Sequence, residues 1–176
     1  MFMQFAKDSF FLALQQRLAG FNPRRVVTVN GTSVPALLVV ENLPPSSAEQ
    51  KADTFYVSWG EADVMEGHAG GAPLMSLDVM ISYYTLGSVA SMVDRGRMLG
   101  QLDRELLSIC QPPNTEKRDY TRFPSADLGT SVFWGQPSLG ERSKSGIEEN
   151  AEPHQDGRVE RKARLTMYFF PEVILA

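Results

Sequence analysis

His68 and His154 are the only imidazoles in the sequence, and imidazole is the side chain best matched to general acid-base work near neutral pH. Gly67, Gly70 and Gly71 surround the first, and Gly146, Pro153 and Gly157 surround the second, so both are expected in solvated loops. A catalytic base needs a fixed partner and a fixed geometry, which such loops do not supply. Each histidine has carboxylates close by. Glu61, Asp63 and Glu66 accompany His68, while Glu148, Glu149, Glu152 and Asp156 accompany His154. Divalent-ion binding is the chemistry these residue types allow, but neither group has the placed glycine and closing bidentate glutamate of a calcium-binding loop. Charged, solvated loops account for both groups, and no metal site is expected.

Gly70-Gly71-Ala72 lacks the Lys-Ser or Lys-Thr that completes a phosphate-cradling loop, and no dinucleotide fingerprint occurs. Ser88 and Ser91 follow Gly87 outside any Gly-x-Ser-x-Gly elbow. Cys110, beside Leu106, Leu107 and Ile109, is expected to be a buried, unreactive thiol. The sequence thus predicts no catalytic centre and no cofactor.

The elements that would have to position any site come from a chain of 176 residues with 43% hydrophobic and 22% charged residues, a length and balance that suit one folded domain over 1–176. A net charge of -4 leaves no basic excess for gripping phosphates and disfavours sequence-specific DNA binding. Asp8, Gln15, Gln16 and Arg17 interrupt the first apolar stretch, and the longest apolar run elsewhere is Val34 to Val40. Neither a secretory leader nor a membrane span is expected.

Ala6, Phe10, Leu14 and Leu18 recur every four residues and predict a helix from Met3 to Leu18 ended by Gly20, with Asp8 and Arg17 placed to complement its dipole. Val26 to Val29 leads into Asn30-Gly31, a two-residue hairpin signal, with a return strand from Thr32. Pro35 is expected at an edge or bulge before Ala36 to Val40 continues the sheet. Asp53 to Trp59 reads as a strand stopped by Gly60, followed by a loop over 60–73. Leu74 to Leu86 alternates without interruption. Ser91 is placed to cap a second helix whose stripe is Met92, Leu99, Leu102, Leu106 and Ile109, with Arg95, Arg97, Gln101, Arg104 and Glu105 outward. A polar stretch from Asn114 to Asp127, a strand from Gly129 to Trp134, a solvated excursion over 138–157 and a strand from Arg158 to Phe170 complete the chain. Separate helices beside a mainly antiparallel sheet make this an α+β fold.

The aromatic residues Phe55, Trp59, Tyr83, Tyr84, Phe133, Trp134, Tyr168, Phe169 and Phe170 occupy both faces of these strands. The helices cover one face, so the other must be covered by a loop folded back or by another subunit. An open sheet also leaves edges to protect or pair. Arg24, Arg25, Arg97, Arg104, Arg161 and Arg164 are the candidate interface residues, because a guanidinium makes planar, bidentate contacts to a partner's carboxylates.

The order of elements resembles the tail terminator, or tail completion, proteins of long-tailed bacteriophages. Phe10 to Leu14 with Leu18, Pro35 to Glu41, Ile81-Ser82-Tyr83, Arg97 to Ile109 with Leu102-Asp103-Arg104-Glu105-Leu106-Leu107, Val132-Phe133-Trp134 and Arg161 to Phe170 carry the likeness across nearly the whole chain. The glycine-rich loop at 60–73 and the polar stretch at 138–157 depart from it. The resemblance implies a small α+β subunit that closes into a homohexameric ring on the tail tube, stops tube growth and presents a surface to the head connector protein. It further implies contact with the tail tube protein, passage of DNA through the ring without sequence-specific binding, assembly in the host cytoplasm and residence in the virion tail. The alternatives are a head-to-tail connector or another tail tube component, and then an uncharacterised small-molecule enzyme.

Overall fold

Helix α1 (Gln4–Phe21) forms where the four-residue spacing places it, and Ala6, Phe10, Leu14 and Leu18 are all completely buried in this computed structural model, which describes residues 3–43, 50–65, 73–87, 92–140 and 158–172. The helix runs past Gly20 to Phe21, and the Asn22 amide donates to the Leu18 carbonyl. Neither Asp8 nor Arg17 complements the dipole as expected, since the first turn holds no acid and the last no base. Asp8 instead accepts from Gln4 Nε2 at 2.7 Å, and the Arg17 guanidinium donates to the carbonyls of Ile109, Pro112 and Asn114.

Strands β1 (Val26–Val29) and β2 (Thr32–Pro35) form a separate two-stranded ribbon. Asn30 and Gly31 at its turn both have positive φ, 49° and 79°, as their residue types allow. Ala36 then donates to the Arg25 carbonyl, and β3 (Leu37–Val39) joins the main sheet, parallel to β4 (Phe55–Val64). All other pairings are antiparallel: β4 with β5 (Met75–Thr85), β5 with β9 (Val159–Phe169), β9 with β7 (Ala126–Trp134), and β7 with β6 (Asn114–Asp119), while β8 (Ser138–Leu139) pairs with β9 beside β7. Helix α2 (Met92–Ile109) follows β5, and both helices pack on one face of the sheet. The fold is α+β.

Three expectations about the strands change. Gly60 does not stop β4, which continues to Val64 across a bulge between Trp59 and Ala62. A Cβ on Gly60 would lie 3.1 Å from Asp78 Cβ and 3.2 Å from the Asp78 carbonyl oxygen, so this glycine permits a close approach to β5 and is not a breaker. The polar stretch after Asn114 contains β6, an edge strand whose alternate residues Lys117 and Asp119 are buried. Lys117 Nζ is satisfied there by the Phe170 carbonyl at 2.6 Å and Glu172 at 2.8 Å, which is why a strand without apolar residues is stable. Ser138 and Leu139, expected in the solvated excursion, pair with Arg164 and Ala163 of β9; the rest of that excursion from 141, residues 66–72 of the glycine-rich loop and the Ser91 cap lie outside the described residues.

The core sits between helices and sheet. Leu99, Leu102, Leu106 and Ile109 of α2 meet Leu77, Val79, Ile81 and Tyr83 of β5 and Ala163, Leu165, Met167 and Phe169 of β9 within one cluster. Phe10 packs edge-on against Trp134 with centroids 5.1 Å apart, and Trp134 Nε1 donates to the Cys110 carbonyl at 2.9 Å. On the opposite face, residues 50–52 fold back: Lys51 N donates to the Tyr56 hydroxyl at 2.7 Å and Tyr84 donates to the Gln50 carbonyl at 2.5 Å. Phe133 on that face remains 49% exposed, so the fold-back covers one end of it only.

Candidate functional site

The six candidate interface arginines divide into two kinds. Arg25, in the turn after α1, gives Nε to Glu105 Oε2 at 2.8 Å and Nη2 to Glu105 Oε1 at 3.0 Å. Glu105 is almost fully buried, contrary to its expected outward position on α2, and accepts two further hydrogen bonds, from Asn22 Nδ2 at 2.8 Å and Gln101 Nε2 at 3.1 Å. Burial raises the Glu105 pKa, but the bonds from Arg25 and Asn22 and the guanidinium charge outweigh it and hold the carboxyl below its usual range. The same bond raises the Arg25 pKa. Arg161 of β9 makes the second such pair, donating to both oxygens of Asp103 at 3.2 and 2.9 Å. Tyr83, completely buried, donates to the same carboxylate at 2.6 Å, and burial followed by that bond raises its phenol well above the ordinary value. These two clusters tie α2 to the turn after α1 and to the sheet.

Arg24, Arg97, Arg104 and Arg164 are exposed and form no ion pair among the described residues. Arg97 and Arg104 lie on the outward face of α2, as their spacing predicts. Arg164 stands on the open face of the sheet, beside a concavity of about 720 Å³ lined by Gly60, Glu61, Asp78, Met80, Thr166 and Tyr168 among others. Asp78 at its floor accepts from Thr166 Oγ1 at 3.0 Å. The internal partners Asp103 and Glu105 were not singled out by the sequence. Glu105 sits directly before Leu106 and three residues after Leu102 in the apolar stripe, and a carboxylate so close to a buried stripe is itself the signal for a buried partner.

Most of the residues considered for chemistry lie outside the described residues. Glu61 and Asp63 are exposed on β4, and His68, His154, Ser88 and Ser91 lie outside the described residues. Among the described residues no group of three or more His, Cys, Asp or Glu side chains is arranged to hold a metal ion. Cys110 is completely buried, and that burial pushes its thiol up to about 12, which leaves almost no thiolate at neutral pH. No helix among the described residues is long and apolar enough to cross a membrane.

Among the described residues the sheet is open at both ends. β3 pairs with β4 only along Phe55 to Val57, so the side of β4 facing away from β5 has no strand partner among those residues from Ser58 onward. At the opposite end, the turn joining β6 and β7 carries Phe123 at 104% exposure next to Arg122, whose guanidinium pairs with Asp119 at 3.1 Å. Phe21, Phe133 and Phe170 are exposed as well. Comparison with models of protein families and with curated proteins gives no match.

Proposed function

We propose that this protein is a structural subunit of a long phage tail: a terminator that closes into a ring on the tail tube, halts its growth and offers a docking surface to the head connector. The observation that carries the proposal is Phe123, held fully in solvent at the tip of a β-hairpin on a sheet with open edges. A phenylalanine contributes roughly 1.5–3 kcal/mol when its side chain leaves water, and nothing in the subunit collects that stabilisation. An assembled particle would. The expected α+β order, with α1, the Asn30-Gly31 hairpin, the long strands and α2 in sequence, is compatible with the terminator resemblance. Residence in the virion tail after cytoplasmic assembly, and DNA passing through the ring without being read, belong to the same proposal. A net charge of -4 suits passage, because an arginine-lined opening would hold phosphates.

Mass in solution over a concentration series, repeated with tail tubes, tests it. The expected result is a closed ring in one of the two settings. A chain that stays monomeric at all concentrations and never associates with tubes refutes the terminator role.

A further inference from the structure

We infer that the end of the β4–β5 hairpin of one copy docks on the outward face of α2 in the next copy, through Glu61 and Asp63 against Arg97 and Arg104. This rests on the ring proposed above and names the contact that would close it. Each half is a surface whose charge has no ion-pair partner among the described residues. Of the three carboxylates on α2, Asp103 and Glu105 are each consumed by an internal arginine, Arg161 and Arg25, and Asp94 in the first turn is engaged as well. Arg97 and Arg104 are left exposed and unpaired among the described residues, so the outward face of the helix is positive in effect although its sequence looks mixed. The hairpin end has the opposite character. Glu61 and Asp63 are exposed, form no ion pair among the described residues, and have no basic residue beside them from Gly60 to Val64; Arg164, which lines the same concavity as Glu61, is not paired with it.

The shapes agree with the charges. Beyond the bulge at Gly60, every residue from Glu61 to Met65 is exposed, with Val64 at 56% and Met65 at 43%. One side of the strand there pairs with no strand among the described residues, so a second molecule can reach it. Glu61 and Asp63 are two residues apart on a strand, about 7 Å. Arg97 and Arg104 are seven apart on a helix, about 10 Å, a span that two long guanidinium side chains close onto both carboxylates. Leu107, exposed one turn beyond Arg104 at 39%, gives Val64 or Met65 an apolar neighbour. In its own subunit α2 covers the core face of β5 and β9, whereas Glu61 lines a concavity on the opposite face with Asp78, Thr166 and Tyr168. The two halves therefore belong to different copies, and because they are different surfaces the contact is head-to-tail, the kind that closes rings.

Two charge-reversed proteins test the contact: Glu61→Arg with Asp63→Arg, and Arg97→Glu with Arg104→Glu. All four side chains are exposed, so both proteins should melt cooperatively close to the wild type, and this is checked first. Each alone should require about tenfold or more higher concentration to assemble than the wild type, because attraction at two pairs becomes repulsion. Mixed in equal amounts they should assemble again, since every hairpin then faces a helix of opposite charge in a ring alternating the two proteins. Wild-type rings together with unimpaired assembly of both variants would overturn the contact and leave the ring standing. Impaired assembly without rescue on mixing would overturn the pairing as well. A wild type that forms no ring with or without tail tubes would remove the ring and this contact with it.

Discussion

Replacing Arg25 by Met strands the carboxylate of Glu105 inside the protein. Glu105 is 1% exposed and takes two of its four hydrogen bonds from that guanidinium; Asn22 and Gln101 remain, but neither carries charge. Removing one partner of a buried pair costs about 3–5 kcal/mol, which for a chain of this length lowers Tm by about 6 to 20 °C. Replacing both Arg25 and Glu105 by Met removes the stranded charge and should recover most of the loss, because a buried pair and apolar side chains of similar volume are nearly equivalent. Thermal and urea denaturation of the wild type, the two single variants and the double variant give the coupling directly. The pH dependence has a defined sign. The folded-state pKa of Glu105 lies below the ordinary carboxylate range, so its contribution is present above that range and is lost as pH falls through the folded pKa. The wild type's advantage over the double variant should therefore shrink in acid. A single Arg25→Met variant within about 2 °C of wild type, or a double variant no more stable than the single, would refute a desolvated Arg25–Glu105 pair as the latch between α2 and the turn after α1.

Cys110 should resist maleimide in the folded protein at pH 7 and react on unfolding, since its thiol is buried and pushed up to about 12; rapid native labelling would contradict the packing against Trp134. Tyr83→Phe should cost about 1–3 kcal/mol in urea denaturation, the loss of one buried hydrogen bond to a charged acceptor, and a neutral result would show that Asp103 is satisfied without it. Assembled rings should bind short DNA duplexes weakly, with little change between low and moderate salt, whereas a steep salt dependence would reveal a basic lining.

Periodic elements were readable from the sequence because burial repeats at short range. The stripe of α1, the alternation of β5 and β9, and the stripe Leu99, Leu102, Leu106 and Ile109 on α2 all fall where their spacing puts them. Asn30-Gly31 reported its own turn. What stayed hidden depends on partners distant in sequence. β6 shows no apolar alternation, since Lys117 is buried by virtue of Phe170 and Glu172 more than fifty residues away. Gly60 has the composition of a stop, and only its approach to Asp78 reveals a bulge. Of the candidate arginines, nothing local distinguishes Arg25 and Arg161, engaged inside the subunit, from Arg24, Arg97, Arg104 and Arg164, which are not. The difference lies in where Glu105 and Asp103 come to rest.

The joint between β7 and β9 also fixes how the subunit would carry tension. β5 and β9 are registered along their whole lengths, from Met75↔Phe169 to Thr85↔Val159, so a pull along either strand is resisted by all those bonds in shear. β7 is registered with β9 at Phe133↔Tyr168 and Trp134↔Met167, with one further bond from the Gly135 amide to the Thr166 carbonyl at 3.0 Å. A pull applied at Phe123 would therefore reach the sheet through a narrow seam, backed by the Arg118 amide on the Ser9 hydroxyl of α1 at 2.9 Å, by the Trp134 indole on the Cys110 carbonyl, by Arg17 on the carbonyls of Ile109, Pro112 and Asn114, and by Lys117 on Phe170 and Glu172. Side-chain latches yield one at a time, and a strand in shear does not. The β6–β7 hairpin is in this sense a compliant tab on a stiff plate: a handle placed there can take up strain while the β4–β5–β9 plate keeps its shape.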